Sequence, residues 1–212
     1  MKKTAPTTHL VKPLGIRLVL MLMLAGCTTT RPDAAVKVYD FGPASLQAPT
    51  AVSPSNLAPL VLFEPQVSPA LDGSAVLYRL AYADAQQLKP YARARWSMPP
   101  AQLLSQRLRQ QLGAQRAVVA PGEAAAQLNL RLVLEEFSQV FVSPAESHGL
   151  LRLRATLTQR SGGGEVLLAQ RSFVVQQPAQ TPDAVGAVRA LTAASDQMAV
   201  QIEGWLAPWG RL

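Results

Sequence analysis

The chain has 212 residues, and the 186 that follow residue 26 suffice for one domain with a sizeable core. Residues 1–26 hold four of the 20 basic residues and none of the 13 acidic ones, so the remainder carries 16 against 13. The formal net charge of +7 thus shrinks to +3, which removes the electrostatic case for a nucleic-acid partner. Cys27 is the only cysteine, so an intramolecular disulfide is excluded.

Lys2, Lys3, Lys12 and Arg17 precede an apolar run from Leu18 to Leu24, followed by small residues, the three parts of a secretory signal. A spanning helix needs roughly 20 apolar residues, and this run ends far sooner, at Thr28 to Pro32. Leu24-Ala25-Gly26-Cys27 resembles the lipobox of bacterial lipoproteins. That resemblance implies cleavage between Gly26 and Cys27 and acylation of the cysteine thiol. A buried free cysteine after an unrelated apolar run is the alternative, opposed by position, flanks and the lack of any other cysteine. Two or more acyl chains anchor a protein stably, so the membrane is an expected partner. Thr28 and Thr29, in place of a retention aspartate, point to the outer membrane and its periplasmic face. The expected organisation is a signal peptide over 1–26, a lipidated tether over 27–35 and one domain over 36–212.

Val36 to Phe41 suits a short strand, and Pro43, Pro49, Pro54 and Pro59 forbid regular structure after it. Leu60 to Phe63 reads as a buried strand and Ala75 to Tyr82 as another, with residues 83–98 irregular. Pro99-Pro100 open a helix whose Leu103, Leu104, Leu108 and Leu112 share one face, with Gly113 as its stop. Leu128, Leu130, Leu132 and Leu134 alternate with polar positions, as do Leu151, Leu153, Ala155 and Leu157. Ser161 to Gly164 is a turn before a strand over Val166 to Val175, which completes an antiparallel meander. Thr181-Pro182-Asp183 start a last helix, with Thr181 as the capping hydroxyl, whose stripe is Val188, Leu191, Met198, Ile202 and Trp205. The fold class is therefore α+β, an antiparallel sheet with two main helices on one face.

Catalytic chemistry finds little support. His148 is the only histidine after the signal, in a loop-like stretch, and neither a histidine motif nor a cysteine cluster exists for a metal. Glu146, Ser147 and His148 are sequence neighbours that cannot readily converge as a triad. Gly162 to Gly164 lack a P-loop lysine, and Glu135 and Glu136, adjacent on a strand, face opposite sides of the sheet. No enzyme activity, cofactor or metal is expected. A lipid-anchored hydrolase would need a nucleophile and base that the chain does not offer.

Leu71-Asp-Gly followed by Tyr78-Arg79, then Tyr91 and Trp96 in a Y-x-x-x-x-W segment, then the proline-started helix, form an ordered set. With Tyr39 to Gly42, the Leu130 to Phe137 strand and the last helix, this set resembles the ABC-type transport auxiliary lipoprotein family over roughly Val36 to Leu206. Met98 stands where the paraquat-inducible lipoprotein branch carries a capping serine, and Ser97 is the substitute cap. The resemblance implies an outer-membrane accessory of an ABC transporter moving lipids or hydrophobic compounds. Its expected partner is a periplasmic mammalian-cell-entry domain protein, and homo-oligomers occur among relatives. An assembly lipoprotein serving an outer-membrane barrel is the alternative. Tyr91, Arg93, Arg95 and Trp96 are the candidate partner surface, since aromatic and arginine side chains dominate interface hot spots. The competing assignment packs Trp96 under the helix and leaves the arginines paired on the surface.

Overall fold

The structure, a computed structural model, describes Lys2, residues 35–43 and residues 57–210. Gly26, Cys27 and the tether up to Ala34 lie outside the described residues. The chain divides into two compact units, Met1–Ala35 and Val36–Leu212, and the second is the subject below. In chain order its elements are β1 (Lys37–Tyr39), β2 (Leu60–Leu62), β3 (Gln66–Val67), β4 (Ala75–Leu80), α1 (Ala81–Asp84) and β5 (Ala85–Trp96). They continue as α2 (Pro100–Gly113), β6 (Val118–Val119), β7 (Leu128–Phe141), β8 (Ser147–Ser161), β9 (Gly164–Pro178) and α3 (Ala184–Leu206). Single 3-10 turns occupy Pro69–Leu71 and Ala207–Trp209.

The strand β7 is the spine of one nine-stranded sheet. Along one edge it pairs antiparallel with β8, and β8 with β9, which is the expected meander. Its tip is the Gly162-Gly163 turn, where Gly164 takes φ +130°, open to glycine and strained for other residues. Along the other edge β2, β3 and β4 pair with β7 in succession, all parallel. The strands β6 and β1 are also parallel to their partners β2 and β5. The sheet is thus mixed, where sequence alternation predicts antiparallel pairing throughout. Alternation has the same period in both arrangements and reports burial, not strand direction. The long return through β5 and α2 supplies the crossover that parallel neighbours require.

The α+β class holds, with α2 and α3 as the main helices. Leu104 and Leu108 of α2, Leu191, Met198 and Ile202 of α3, and Leu130, Leu151 and Leu153 of the sheet are all 0% exposed in one hydrophobic cluster. Each such side chain contributes about 1.5–3 kcal/mol of transfer free energy, so this cluster drives the fold. Four alanines of α3, Ala187, Ala190, Ala194 and Ala199, are also buried and let the helix approach the strands closely. The closest approach is at Gly149, where a Cβ would stand 2.9 Å from the backbone of Ala190 and Leu191.

Four local expectations change. Residues 85–96, expected to be irregular, are the 12-residue strand β5, whose mostly exposed side chains hide its period. Ser97 is no cap: Pro99 holds the cap position of α2 without a side-chain bond, and the Ser97 amide donates to Tyr39 O at 2.7 Å. Gly113 is the last helical residue rather than a left-handed stop. At α3 the cap is Asp183, not Thr181. Its carboxylate accepts from the Gly186 amide at 2.8 Å and from the Thr181 hydroxyl at 2.7 Å, and these bonds hold its pKa below the ordinary carboxylate value.

Candidate docking surface

The four sequence-selected residues Tyr91, Arg93, Arg95 and Trp96 all lie on β5, and an irregularity in that strand decides where each points. Between the pairs Ala75↔Arg95 and Leu77↔Pro90, β4 advances two residues while β5 advances five. The surplus bulges out around Tyr91–Ala94, and bulges of this kind re-aim side chains. The alternation expected of an uninterrupted strand therefore fails here.

Trp96 goes inward. It is 2% exposed and packs edge-on against Phe41, with centroids 5.6 Å apart, and against Phe137 at 5.7 Å. Its placement in the partner surface is corrected: this ring is core, buried beside the Tyr39↔Trp96 pairing of β1. The indole N–H has no partner among the described residues, a cost that the three-ring cluster offsets.

Tyr91 is half-buried. Its ring stacks on Tyr78 at 4.6 Å, and its hydroxyl donates to Gln139 Oε1 at 2.6 Å. Gln139, fully buried, donates in turn to Ser147 Oγ at 2.7 Å. Burial, and then Tyr78 and Asp183, push the phenol well above its ordinary pKa, so it stays a neutral donor. This Tyr91–Gln139–Ser147 chain locks β5, β7 and β8 together. Nothing in the sequence marks it, because its members are separated by 48 and 8 residues.

The arginines point outward. Arg95 is half-buried and folds its guanidinium back onto Tyr91 O at 3.3 Å and Ala94 O at 3.4 Å. Arg93 is exposed on the bulge and makes no ion pair among the described residues. Beside them β1 is the edge of the sheet, with Val38 64% exposed and Val36, just before the strand, 51% exposed. The exposed group is therefore Arg93 with the Val36 and Val38 edge.

The residues weighed for catalysis are dispersed or engaged. His148 belongs to β8, not to a loop, paired between Val140 and Pro178. Burial lowers its pKa against the opposing pull of Glu146. Ser147 Oγ is the acceptor of Gln139 rather than a free nucleophile. Leu134 and Phe137, three residues apart, are both 1% exposed, so a bulge slips the phase of β7 between them. Glu135 and Glu136 consequently do not follow simple alternation. Glu135 meets Arg154 at 3.8 Å, and Glu136 meets Arg79 at 3.0 Å. Among the described residues no three His, Cys, Asp or Glu side chains group as a metal site, and no helix is long and apolar enough to cross a membrane.

The fold has close counterparts among solved structures. A crystal structure of a Xanthomonas campestris protein superposes with a TM-score of 0.66 at 20% identity, covering 80% of this chain and 94% of that one. A crystal structure of an uncharacterized protein superposes with a TM-score of 0.60 at 16% identity, covering 81% and 99%. At these identities the likeness establishes the fold alone. No curated protein sequence matches the chain. The family described as ABC-type transport auxiliary lipoprotein component matches residues 39–203, from Tyr39 of β1 to Glu203 in the last turns of α3. That span includes β2 to β9, all of α2 and most of α3, so the chain belongs to the ABC-type transport auxiliary lipoprotein family and works in association with ABC-type transport systems.

Proposed function

We propose that this protein is a non-enzymatic docking component, held by an acylated Cys27 on the periplasmic face of the outer membrane. There it receives a mammalian-cell-entry domain protein of an ABC transporter that moves lipids or hydrophobic compounds across the periplasm. The observation that carries the proposal is the family match over 39–203, preceded by Leu24-Ala25-Gly26-Cys27 and a short tether. A Ser147 Oγ that accepts from buried Gln139 and a His148 built into a strand support docking over catalysis. Arg93 is the proposed contact, with Arg95 and Tyr91 bracing the bulge that presents it and the Val36 and Val38 edge supplying apolar area.

Crosslinked pull-down from membranes tests this, using the native chain, Cys27→Ala and Arg93→Glu. The native chain is expected to recover a mammalian-cell-entry domain protein, Cys27→Ala to lose membrane association, and Arg93→Glu to lose the partner while remaining folded. Recovery of outer-membrane barrel assembly partners in place of the carrier would overturn the proposal in favour of an assembly role.

A further inference from the structure

The two ends of the sheet are protected unequally. At one end β5 pairs with β1 only over Ala94–Trp96, and the rest of that edge is interrupted by Pro90 and the bulge and carries Lys89 and Arg93. Proline, a bulge and charges are the devices by which natural edge strands refuse further pairing. At the other end β9, 15 residues long, pairs only with β8. Its register is unbroken from Ala169 to Pro178, so the nine residues Ala169–Gln177 form a regular edge without proline and with Arg171 as their only charge. In an antiparallel strand alternate residues turn N–H and C=O away from the existing neighbour, and here those groups face no other strand among the described residues.

Side chains give this edge its own character. Phe173 and Val175 enter the helix-side core, so Val174 projects to the opposite face, where it is 52% exposed. Arg171 shares the helix side with Phe173. Its guanidinium lies 4.9 Å over the Phe173 ring, which packs edge-on against Trp205 of α3 at 5.7 Å. That stack fixes an exposed cation on the rim of the edge, and Arg171 makes no ion pair among the described residues. Opposite it in β8 stands Ala155. The one acid of β9, Glu165, is already bonded by Arg131, Thr158 and Asn129.

Unpaired main-chain groups in a row are matched by an extended polypeptide, and a fixed guanidinium by a carboxylate. We infer that the β9 edge takes up an extended acidic segment of a partner protein as a further strand of the sheet, with a carboxylate on Arg171 and an apolar side chain beside Val174. A second copy of this chain fits less well, because its β9 brings another Arg171 and an acid that is already engaged. The inference is independent of the docking proposal. Strand order runs β1-β5-β4-β7-β8-β9, so Arg93 and the β9 edge lie at opposite ends of the sheet.

The test measures binding of a fluorescein-labelled peptide, matched to the nine residues of the regular edge, to the full chain in phosphatidylcholine nanodiscs, with empty nanodiscs as the blank. The peptide alternates threonine and valine around a central glutamate. Saturable binding is expected, with slowed hydrogen exchange at the β9 amides between Ala169 and Gln177. The same peptide with lysine in place of the glutamate, or with its backbone amides N-methylated, is expected to bind about tenfold more weakly or worse. Arg171→Glu, at an exposed position, is expected to keep the native circular dichroism and to reverse the preference in favour of the lysine peptide. Glutamate and lysine peptides bound alike, N-methylation without effect, or no added protection in β9 would each overturn the inference. Protection of β9 that grows with protein concentration in the absence of peptide would assign the edge to a second copy and overturn it as well. Arg93→Glu is expected to leave peptide binding unchanged, so failure here is distinguishable from failure of the docking proposal.

Discussion

Trp96→Ala is expected to damage the fold before it touches any partner. The indole is 2% exposed and sits between Phe41 and Phe137 at 5.6 and 5.7 Å, so truncation removes most of a large buried ring and two aromatic contacts. Trp→Ala in a core costs about 3–5 kcal/mol, a large share of the 5–15 kcal/mol that holds a typical domain together. For a domain of this size each kcal/mol moves Tm by about 2–4 °C, which puts the expected fall at about 6–20 °C. Trp96→Phe is the informative companion. It keeps a ring for both partners and deletes the unpartnered Nε1–H, so relief of a desolvation cost of about 1–3 kcal/mol offsets much of the lost packing. Its expected stability lies within about 1.5 kcal/mol of the native chain. Thermal and urea denaturation followed by near-UV circular dichroism read both variants. A Trp96→Ala chain with native Tm that no longer recovers its partner would refute the core assignment and return the ring to the docking surface.

Three further substitutions probe how the helices are seated and capped. Gly149→Ala places a methyl 2.9 Å from the Ala190 and Leu191 backbone, which cannot yield as a side-chain tip would, and is expected to cost about 1–3 kcal/mol in urea melts. Gly113→Ala, with nothing within 4 Å of its Cβ and an ordinary φ, is expected to be neutral or to stabilise by up to about 1 kcal/mol; equal losses at both sites would sink the close-approach argument. Asp183→Ala is expected to cost about 1 kcal/mol by uncapping α3. Because the folded pKa of Asp183 is depressed, its contribution is fully present above the unfolded value near 3.9 and fades as pH falls through the folded value. The native and Asp183→Ala melting curves should therefore converge in strong acid and stay apart at neutral pH.

The parts of the fold legible in the sequence are those where burial differs sharply between neighbours. Leu130, Leu132, Leu151 and Leu153 are at most 1% exposed and alternate with polar residues, so β7 and β8 announce themselves. In β5 only Ala94 and Trp96 are buried, and Pro90 and three surplus residues interrupt it, so no period survives to be read. The same interruption misplaced the site. In a regular strand Tyr91 and Arg93 would share a face and Trp96 would oppose them, yet a bulge of that size severs the relation between spacing and direction. Sequence spacing also could not disclose the burial of Asn129. Asn129 looks like a polar position on a half-buried strand until the connection after β6 folds over it, an arrangement set by contacts distant along the chain.

The arginines divide in a way that composition alone could not reveal. Arg79, Arg107, Arg131 and Arg154 make the four ion pairs among the described residues, and Arg107 and Arg109 also donate to the carbonyls of Phe41 and Leu62. Surface pairs of this sort contribute about 0–1 kcal/mol each, but Arg107 does more than pair. Its guanidinium holds Phe41 O at 2.7 Å and Asp196 of α3 at 3.2 Å, tying the segment after β1 to both helices. Arg93 does neither, and it stands at the proposed docking edge. Loss of partner recovery alone, at native Tm, should follow from Arg93→Glu. Arg107→Ala should weaken partner recovery together with Tm. Partner recovery left unchanged by Arg93→Glu at native Tm would refute the docking edge argued from the β5 bulge.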